Sequence, residues 1–289
     1  MRAPTTNATI IDGRAVAARV RAQVAREVPA LSERLGHAPG LATILVGDDP
    51  ASAIYVQNKR KACREVGIAD HHRHLPADTP AEEIATVIDE CNRDPEVSGI
   101  LLQLPLPGDL PGGELTGRID PDKDVDGLTA ISVGRLWKGL PGLRPCTPLG
   151  VIELLDAYEV PLEGAEAVVV GRSDLVGKPL AGLLLARNAT VTVCHSRTRD
   201  LEQVCAQADV LVAAVGMPKL IGADHVKPGA AVVDVGMNRT DEGLCGDVDF
   251  DAVAERAALI TPVPGGVGPM TIAMLLRNTL TAAALQIKG

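Results

Sequence analysis

The strongest constraint on the fold is a regular alternation of segments in the second half of the chain. Short apolar runs typical of buried strands alternate with segments in which apolar residues recur at helical spacing. The predicted strands cover 166–170, 190–194, 210–213 and 231–235, and the predicted helices and short turn between them cover 177–187, 200–207 and 223–226. Strands joined in this way pair in parallel through right-handed crossovers. This half therefore predicts an α/β domain with a mostly parallel sheet.

The first half predicts another α/β domain. Its predicted elements are helices over 12–34, 52–66 and 80–92 and strands over 41–46 and 99–104. Thr79 is the expected cap of the helix that starts at Pro80. Residues 107–145 are rich in Gly and Pro, and we expect a long loop there.

The boundary between the two domains is predicted near residue 146. The N-terminal domain would cover 1–146, and the C-terminal domain would cover 147–270. The latter would begin with a helix over 147–158 and end with a strand over 258–260. We expect the C-terminal helix, within 271–289, to pack back on the N-terminal domain.

Composition narrows the class of protein. The net charge of −9 on 289 residues argues against nonspecific binding to nucleic acid. No apolar run approaches the length of a membrane span. The six cysteines include no Cys-x-x-Cys pair, so we expect reduced thiols, no metal site and a cytoplasmic location.

A glycine-containing loop follows the first predicted strand of the second domain. Gly171 would let a phosphate approach the backbone, and the helix starting near Val176 would direct free N–H groups at it. Ser173 stands where a dinucleotide fingerprint has its middle glycine, so an ordinary strand-to-helix turn is the alternative. The context favours a Rossmann-like dinucleotide site.

The end of the next strand indicates which dinucleotide binds. NAD sites usually place an Asp or Glu there to bind the ribose hydroxyls. This chain has Ser196 and Arg197 instead, with Arg172 near the phosphate loop. These groups favour NADP, although an arginine at a strand end can also be a simple solvated side chain.

Tyr55 and Lys59 are one helical turn apart and share one helix face. Short-chain dehydrogenases carry such a pair after the nucleotide loop, whereas here it precedes the loop by more than a hundred residues. That order argues against a short-chain dehydrogenase. A surface lysine next to a half-buried tyrosine is the alternative interpretation.

Other polar residues need an explanation. Four acids lie within Asp120–Asp126, but their spacing does not match an EF-hand, and a solvated loop is the alternative. Gln103 lies at the end of an apolar strand and needs a partner, for which Lys59 is a candidate. His71, His72 and His74 are expected on an exposed loop rather than at a metal.

These residues together resemble the bifunctional methylenetetrahydrofolate dehydrogenase/methenyltetrahydrofolate cyclohydrolase family. The segments that carry the resemblance span nearly the whole chain and keep their order. They are Val46–Gly47 with Ser52–Cys63, Gly99–Pro107, Pro121–Gly127, Arg144–Pro148, Gly171–Ser173 and Thr261–Thr271.

The resemblance implies two successive reactions in one cleft. NADP would accept a hydride from 5,10-methylenetetrahydrofolate, and the methenyl product would be hydrolysed to 10-formyltetrahydrofolate. Lys59 would be the central group of the hydrolysis, with Gln103 tuning its charge and Tyr55 lining the folate site. Asp126 would bind the pterin ring.

The resemblance also implies further contacts and a partner. Pro264 and Gly265 would provide folate-side backbone. The implied NADP contacts are Gly171, Arg172, Ser173, Ser196 and Arg197, with Met237 close to the cofactor. Homodimerisation and a place in one-carbon metabolism and purine biosynthesis are further expectations.

The residues leave two other functions as alternatives, and one position departs from the family pattern. A monofunctional dehydrogenase and a non-catalytic NADP- or folate-binding regulator are alternatives, and retention of Tyr55, Lys59, Gln103 and Asp126 argues against both. The family often has Asn where this chain has Ser132, whose shorter side chain should alter loop contacts near the folate site.

Overall fold

The structure, a computed structural model, describes residues 8–241 and 243–287. These residues form two compact units, which we treat separately. One contains residues 8–17 and Thr147–Thr271, and the other contains Ala18–Cys146 and residues 272–287. The first seven positions of the predicted N-terminal domain and the last two of the predicted C-terminal segment lie outside the described residues.

The helices and strands alternate along most of the chain. In chain order they are β1 (Thr9–Ile10), α1 (Gly13–Leu35), β2 (Gly40–Val46), α2 (Pro50–Val66), β3 (Ala69–Leu75), α3 (Ala81–Arg93), β4 (Gly99–Leu102), α4 (Gly112–Gly117), α5 (Ala130–Trp137), α6 (Cys146–Ala157), β5 (Glu166–Val170), α7 (Gly177–Leu185), β6 (Thr190–Cys194), α8 (Leu201–Cys205), β7 (Val210–Ala213), a 3₁₀ turn (Ala223–His225), β8 (Ala231–Asp234), β9 (Asn238–Thr240), β10 (Gly243–Cys245), α9 (Phe250–Ala254), β11 (Leu259–Ile260) and α10 (Val267–Gln286).

The unit that contains Ala18–Cys146 is built on a parallel sheet of three strands in the order β3-β2-β4. Every residue of the central strand β2 is buried, which explains its continuous apolar sequence. Ile44 and Ile100 of the sheet pack in one cluster with Ile84 and Ile88 of α3. This core fixes the ends of β2 and β4, where polar residues follow.

The unit that contains Thr147–Thr271 has a six-stranded sheet in the order β1-β11-β8-β7-β5-β6. All of its strand pairs are parallel, which confirms the predicted α/β class and its mostly parallel sheet. The chain passes from β5 to β6 on one side and then returns to β7 on the other side. The crevice outside the carboxyl ends of β5 and β7 is therefore the topological switch point, where such sheets bind ligands.

Three local features differ from the sequence analysis. β1 pairs with β11 in the six-stranded sheet, although it lies within residues 1–146, which are predicted to form the N-terminal domain. The predicted long loop at 107–145 contains two short helices, α4 and α5. The hydroxyl of Thr79 donates to the carbonyl of Pro76 at 2.8 Å instead of capping α3, which has Pro80 at its cap position.

The expected histidine loop is also wrong. His71, His72 and His74 lie on β3, an edge strand whose partner among the described strands is β2. An edge strand tolerates polar residues because one of its sides remains open. Among the described helices, none is long and apolar enough to cross a membrane.

Candidate functional site

Helix α2 positions Tyr55 and Lys59. The Asp49 carboxylate caps the helix by accepting from the backbone N–H of Ser52 at 2.7 Å, and Gly67 ends it in the left-handed region at φ 85°. The two side chains differ in exposure: Tyr55 is 43% exposed and Lys59 is 9% exposed. Lys59 as a whole is therefore largely buried, which excludes the interpretation of a solvated surface lysine.

Lys59 bonds to the side chain that follows β4. Its Nζ donates to Oε1 of Gln103 at 3.1 Å, so the predicted contact is present. The Gln103 backbone N–H donates to Ile44 O at 2.9 Å, and its Nε2 donates to Leu104 O at 2.6 Å. These two bonds fix the amide with its oxygen toward the amine.

Two residues of the segment Asp120–Asp126 form hydrogen bonds to nearby backbone groups. Lys123 is buried, and its Nζ donates to the carbonyls of Cys91 (3.1 Å) and Asp94 (2.7 Å) at the end of α3. The buried Asp124 carboxylate accepts from the backbone N–H groups of Leu128 (3.1 Å) and Thr129 (2.8 Å). The alternative of a solvated loop is therefore wrong for these two residues.

Asp126 has different neighbours. Its carboxylate interacts with the side chains of Lys59, Cys146 and Asp124. Burial raises the pKa of the Asp126 carboxyl, while Lys59 and the Cys146 hydrogen bond partly offset that rise. Part of the residue still reaches solvent. A carboxylate that is packed in protein yet open on one side can exchange its side-chain partners for a ligand's N–H donors.

The backbone on both sides of Asp126 is held rigidly. Nδ2 of Asn278 in α10 donates to the carbonyls of Val125 and Arg144, both at 2.8 Å. Gly127 has φ 64°, and a Cβ there would lie 2.5 Å from the Arg144 carbonyl carbon. Asn278 is a functional candidate that sequence reasoning missed, and its signal was a polar residue within a helix of otherwise mostly apolar residues.

Ser132 has a structural role in the same unit. It is buried in the first turn of α5, where its N–H donates to the Thr129 hydroxyl at 3.2 Å. The Thr129 hydroxyl in turn donates to Ser132 Oγ at 3.0 Å. The shorter residue therefore caps α5 together with Thr129, whose own N–H is bound by Asp124.

Metal chemistry has no evident site. Within 8–241 and 243–287, no group of three or more His, Cys, Asp or Glu side chains is arranged to hold a metal ion. Nδ1 of His72 lies 3.0 Å from the Thr43 hydroxyl, and burial lowers the His72 pKa. The His72 ring therefore already contacts the hydroxyl of Thr43 on the neighbouring strand β2.

In the other unit, the loop from β5 to α7 packs tightly on the loop after β7. Gly171 has φ 132°, and a Cβ there would lie 2.2 Å from the carbonyl oxygen of Ala214. A Cβ on Gly177 would lie 2.1 Å from the carbonyl oxygen of Gly171. Both positions therefore require glycine, which explains the Gly-Arg-Ser-x-x-x-Gly sequence.

Ser173 alters the expected use of the helix N-terminus. Its Oγ accepts from the N–H groups of Val176 (3.2 Å) and Gly177 (3.4 Å), so these two N–H groups are not free for a phosphate as expected. Ser173 thus occupies the start of α7. A phosphate at this loop would use backbone N–H groups that precede Val176.

The candidate dinucleotide residues after β6 lie next to this loop. The N–H of Gly171 donates to Cys194 O at 2.9 Å, which joins the carboxyl ends of β5 and β6. Arg172, Ser196 and Arg197 are all exposed. The chain turns after β6 through a bond from His195 N to the Thr198 hydroxyl at 2.8 Å. A hydroxyl and a guanidinium group are thus open to a ligand at the strand end where an NAD site would have a carboxylate, and the Arg172 guanidinium is exposed on the neighbouring loop.

The remaining candidates lie on loops of the same unit. Met237 follows β8 and is 46% exposed. Gly265, with φ 113°, and Pro264 border a surface pocket of about 340 Å³ together with Asp12 and Arg14. These residues provide backbone groups at an open surface. The structure thus groups Tyr55, Lys59, Gln103 and Asp126 in one unit and the remaining candidates in the other.

Two family models match the chain, one for each part. The catalytic-domain model of tetrahydrofolate dehydrogenase/cyclohydrolase matches residues 11–126, and the NAD(P)-binding-domain model matches residues 145–287. The second match begins beside Cys146, where the two structural units divide.

Relatives with high identity carry bifunctional names. Bifunctional protein FolD 2 of Frankia alni is 69% identical over 277 residues, which is 96% of each chain. Bifunctional protein FolD of Desulfovibrio desulfuricans is 58% identical over 276 residues, which is 94% of this chain and 96% of that protein.

Solved structures agree with these relatives. The bifunctional FolD methylenetetrahydrofolate dehydrogenase/cyclohydrolase of Campylobacter jejuni has a TM-score of 0.94 at 47% identity, covering 96% of this chain and 99% of that one. The enzyme of Trypanosoma brucei, complexed with NADP and an inhibitor, has a TM-score of 0.92 at 40% identity, covering 98% and 99%.

Proposed function

The chain belongs to the tetrahydrofolate dehydrogenase/cyclohydrolase family, and we propose that the residues described above carry out both activities of that family. The protein oxidises 5,10-methylenetetrahydrofolate with NADP and hydrolyses the resulting 5,10-methenyltetrahydrofolate to 10-formyltetrahydrofolate. The observation that carries the assignment of residues is the buried Lys59, bonded to Gln103 and interacting with the Asp126 carboxylate.

The residues of the six-stranded unit fit NADP. Bound NADP supplies the acceptor for the hydride that leaves the methylene carbon. The loop of Gly171 and Ser173 would bind the pyrophosphate, since it connects β5 to α7 at the switch point of the sheet. The exposed Arg172, Ser196 and Arg197 would bind the 2′-phosphate. Met237 would contact the cofactor from the end of β8.

The residues of the other unit fit the pterin. Asp126 would accept hydrogen bonds from pterin N–H donors, for which a carboxylate is the matching group. Tyr55 is exposed on the face of α2 that carries Lys59 and would line the folate ring. Pro264 and Gly265 would provide backbone contacts to folate.

Lys59 would act in the hydrolysis. Addition of water to the methenyl carbon releases a proton, and ring opening requires one to return to a folate nitrogen. We assign this proton handling to Lys59, whose amine is fixed by Oε1 of Gln103. Gln103 would thereby position the amine without contacting the reacting carbon.

Substitution of Lys59 tests this assignment. We expect Lys59→Ala to reduce methenyltetrahydrofolate hydrolysis to the spontaneous rate. The fold should persist, because the charged hydrogen bond to Gln103 is worth about 1.5–3 kcal/mol, which is less than the stability of a typical domain. Lys61→Ala is the matched control, since Lys61 is exposed on the same helix and pairs with Glu65. Both variants are assayed with methenyltetrahydrofolate alone, and their folding is checked by circular dichroism.

The result has clear alternatives. Hydrolysis above the spontaneous rate in folded Lys59→Ala would show that Lys59 does not have the proposed role in the reaction. Reduced-nicotinamide formation from methylenetetrahydrofolate, measured with NADP and NAD in parallel, tests the cofactor residues. Turnover with NAD alone would keep the enzyme and refute the roles of Arg172, Ser196 and Arg197.

Three broader properties belong to the same proposal. The six cysteines are free, which fits a cytoplasmic location. A homodimer is the expected assembly. The 10-formyl product suits a role in supplying one-carbon groups, with purine biosynthesis as the proposed destination.

A further inference from the structure

Two aspartates of the six-stranded unit are buried at the carboxyl end of its sheet. Asp234 ends β8, and Asp247 follows the β9–β10 hairpin. They are 3% and 0% exposed, and neither has a role in the proposed chemistry. A buried carboxylate is costly unless every oxygen is bonded, so the groups that bind these oxygens indicate what the residues do.

Asp247 binds the loop that follows β7. Its Oδ2 accepts from the backbone N–H groups of Val215 (2.6 Å) and Gly216 (3.0 Å), and its Oδ1 accepts from the N–H of Met217 at 2.9 Å. Three successive N–H groups that converge in this way form an anion-binding nest. The protein's own carboxylate fills the nest.

Asp247 also binds the segment that follows β8. Nδ2 of Asn238 donates to its Oδ1 at 2.9 Å. Asn238 comes directly after Met237, the residue proposed to contact the cofactor. One carboxylate therefore joins the loop after β7 to the loop after β8.

Asp234 orients Asp247. Its Oδ1 accepts from the N–H groups of Gly236 (2.9 Å) and Asp247 itself (3.0 Å), and its Oδ2 accepts from the N–H of Val248 at 2.9 Å. The packing leaves no room for side chains nearby, since a Cβ on Gly246 would lie 1.7 Å from Asp234 Oδ2. The two aspartates thus form one connected pair.

The loop that Asp247 holds lies at the switch point of the sheet. It begins directly after Ala214, whose carbonyl oxygen contacts Gly171 of the proposed phosphate loop. The crevice between the carboxyl ends of β5 and β7 is bordered by these two loops. A change in the course of 215–217 would therefore alter one wall of that crevice.

We propose that Asp247, held in place by Asp234, is a positioning residue for NADP. By binding the loops after β7 and β8 together, it keeps the wall of the crevice and Met237 in the geometry that receives the cofactor. This inference rests on the proposed NADP site and extends it to residues that do not contact the cofactor.

The test compares Asp247→Asn with Asp251→Asn. An amide at 247 would direct an N–H₂ group at backbone donors, whereas Asp251 is exposed on α9 and loses the same charge. We expect Asp247→Asn to raise the KM and the Kd for NADP at least tenfold. Hydrolysis of methenyltetrahydrofolate without NADP should stay within twofold of the wild type, and Asp251→Asn should match the wild type in both assays.

If Asp247→Asn does not fold, a second variant still tests the inference. Asn238→Ala removes a single donor to Asp247 and leaves the three backbone bonds intact, so we expect a threefold to fivefold rise in the KM for NADP with unchanged hydrolysis. Equal losses of hydrolysis and NADP affinity in both variants would indicate general destabilisation and overturn the inference.

The remaining outcomes separate the inference from the proposed function. Unchanged NADP affinity in folded Asp247→Asn and Asn238→Ala would also overturn the positioning role, while leaving the enzyme assignment intact. A wild-type protein that does not bind NADP would overturn both.

Discussion

The two units each place a pair of aspartates among buried backbone, but the two pairs use their oxygens differently. Asp234 and Asp247 accept mainly from backbone N–H groups and hold loops together. In the other unit, Asp124 is bonded in the same way, whereas Asp126 interacts with side chains. A carboxylate bonded to backbone stabilises the architecture, and one that faces side chains remains available for a ligand.

Removal of Asp124 should have the largest effect on stability. In Asp124→Ala the N–H groups of Leu128 and Thr129 lose their charged acceptor in a buried site, which should lower the free energy of unfolding by about 4 kcal/mol. Urea denaturation measures it. Asp122→Ala is the control, because that exposed carboxylate forms a surface pair with Arg135, worth less than about 1 kcal/mol. Equal losses in the two variants would contradict the architectural role of Asp124.

Substitution of Asp126 should lower activity without lowering stability, the opposite of the effect expected at Asp124. We expect Asp126→Asn to lower kcat/KM for methylenetetrahydrofolate about 100-fold, or about 2.7 kcal/mol, because the amide lacks the charge that the pterin donors require. The free energy of unfolding should not fall, since a neutral amide costs less to bury than a carboxylate whose pKa is raised by burial. Steady-state kinetics and urea denaturation on one preparation measure both. An active but destabilised Asp126→Asn would place Asp126 with Asp124 and remove the contrast.

Sequence reasoning located much of the fold because burial has a clear signature. The strands β5 and β7 were predicted at the limits that the structure has, since β7 is a continuous apolar run and β5 is apolar after Glu166. β3 was missed because its Ala-Asp-His-His-Arg-His-Leu sequence is that of an edge strand, whose polar residues give no apolar pattern. The two-residue strand β1 is too short for any periodicity.

The site was less predictable, for a related reason. The contact between Lys59 and Gln103 followed from the need of a buried amide for a partner. The different roles of Asp124 and Asp126 did not, because both are acids in one run and only the path of the backbone decides which oxygens meet N–H groups. The pairing of Asp234 with Asp247 joins residues 13 apart through a fold that no local pattern encodes.

The smallest predicted effect is the contribution of Asp234 to the pH dependence of the free energy of unfolding. Burial raises its pKa from 3.8 to about 6, and three backbone hydrogen bonds offset that rise only in part. The Asp234 carboxyl therefore binds a proton more tightly in the folded protein than in the unfolded chain. The resulting stabilisation is fully present below about pH 4 and is lost as the pH rises through about 6.

Asp234→Asn isolates this contribution, because the other titrating groups cancel in the difference between the two proteins. The free energy of unfolding of the wild type minus that of the variant should fall by roughly 2.5 kcal/mol between pH 4 and pH 7. Urea denaturation at four pH values across this range measures the difference. A constant difference would mean that Asp234 titrates alike in both states. A difference that grows with pH would mean that the N–H donors to Asp234 outweigh the effect of its burial.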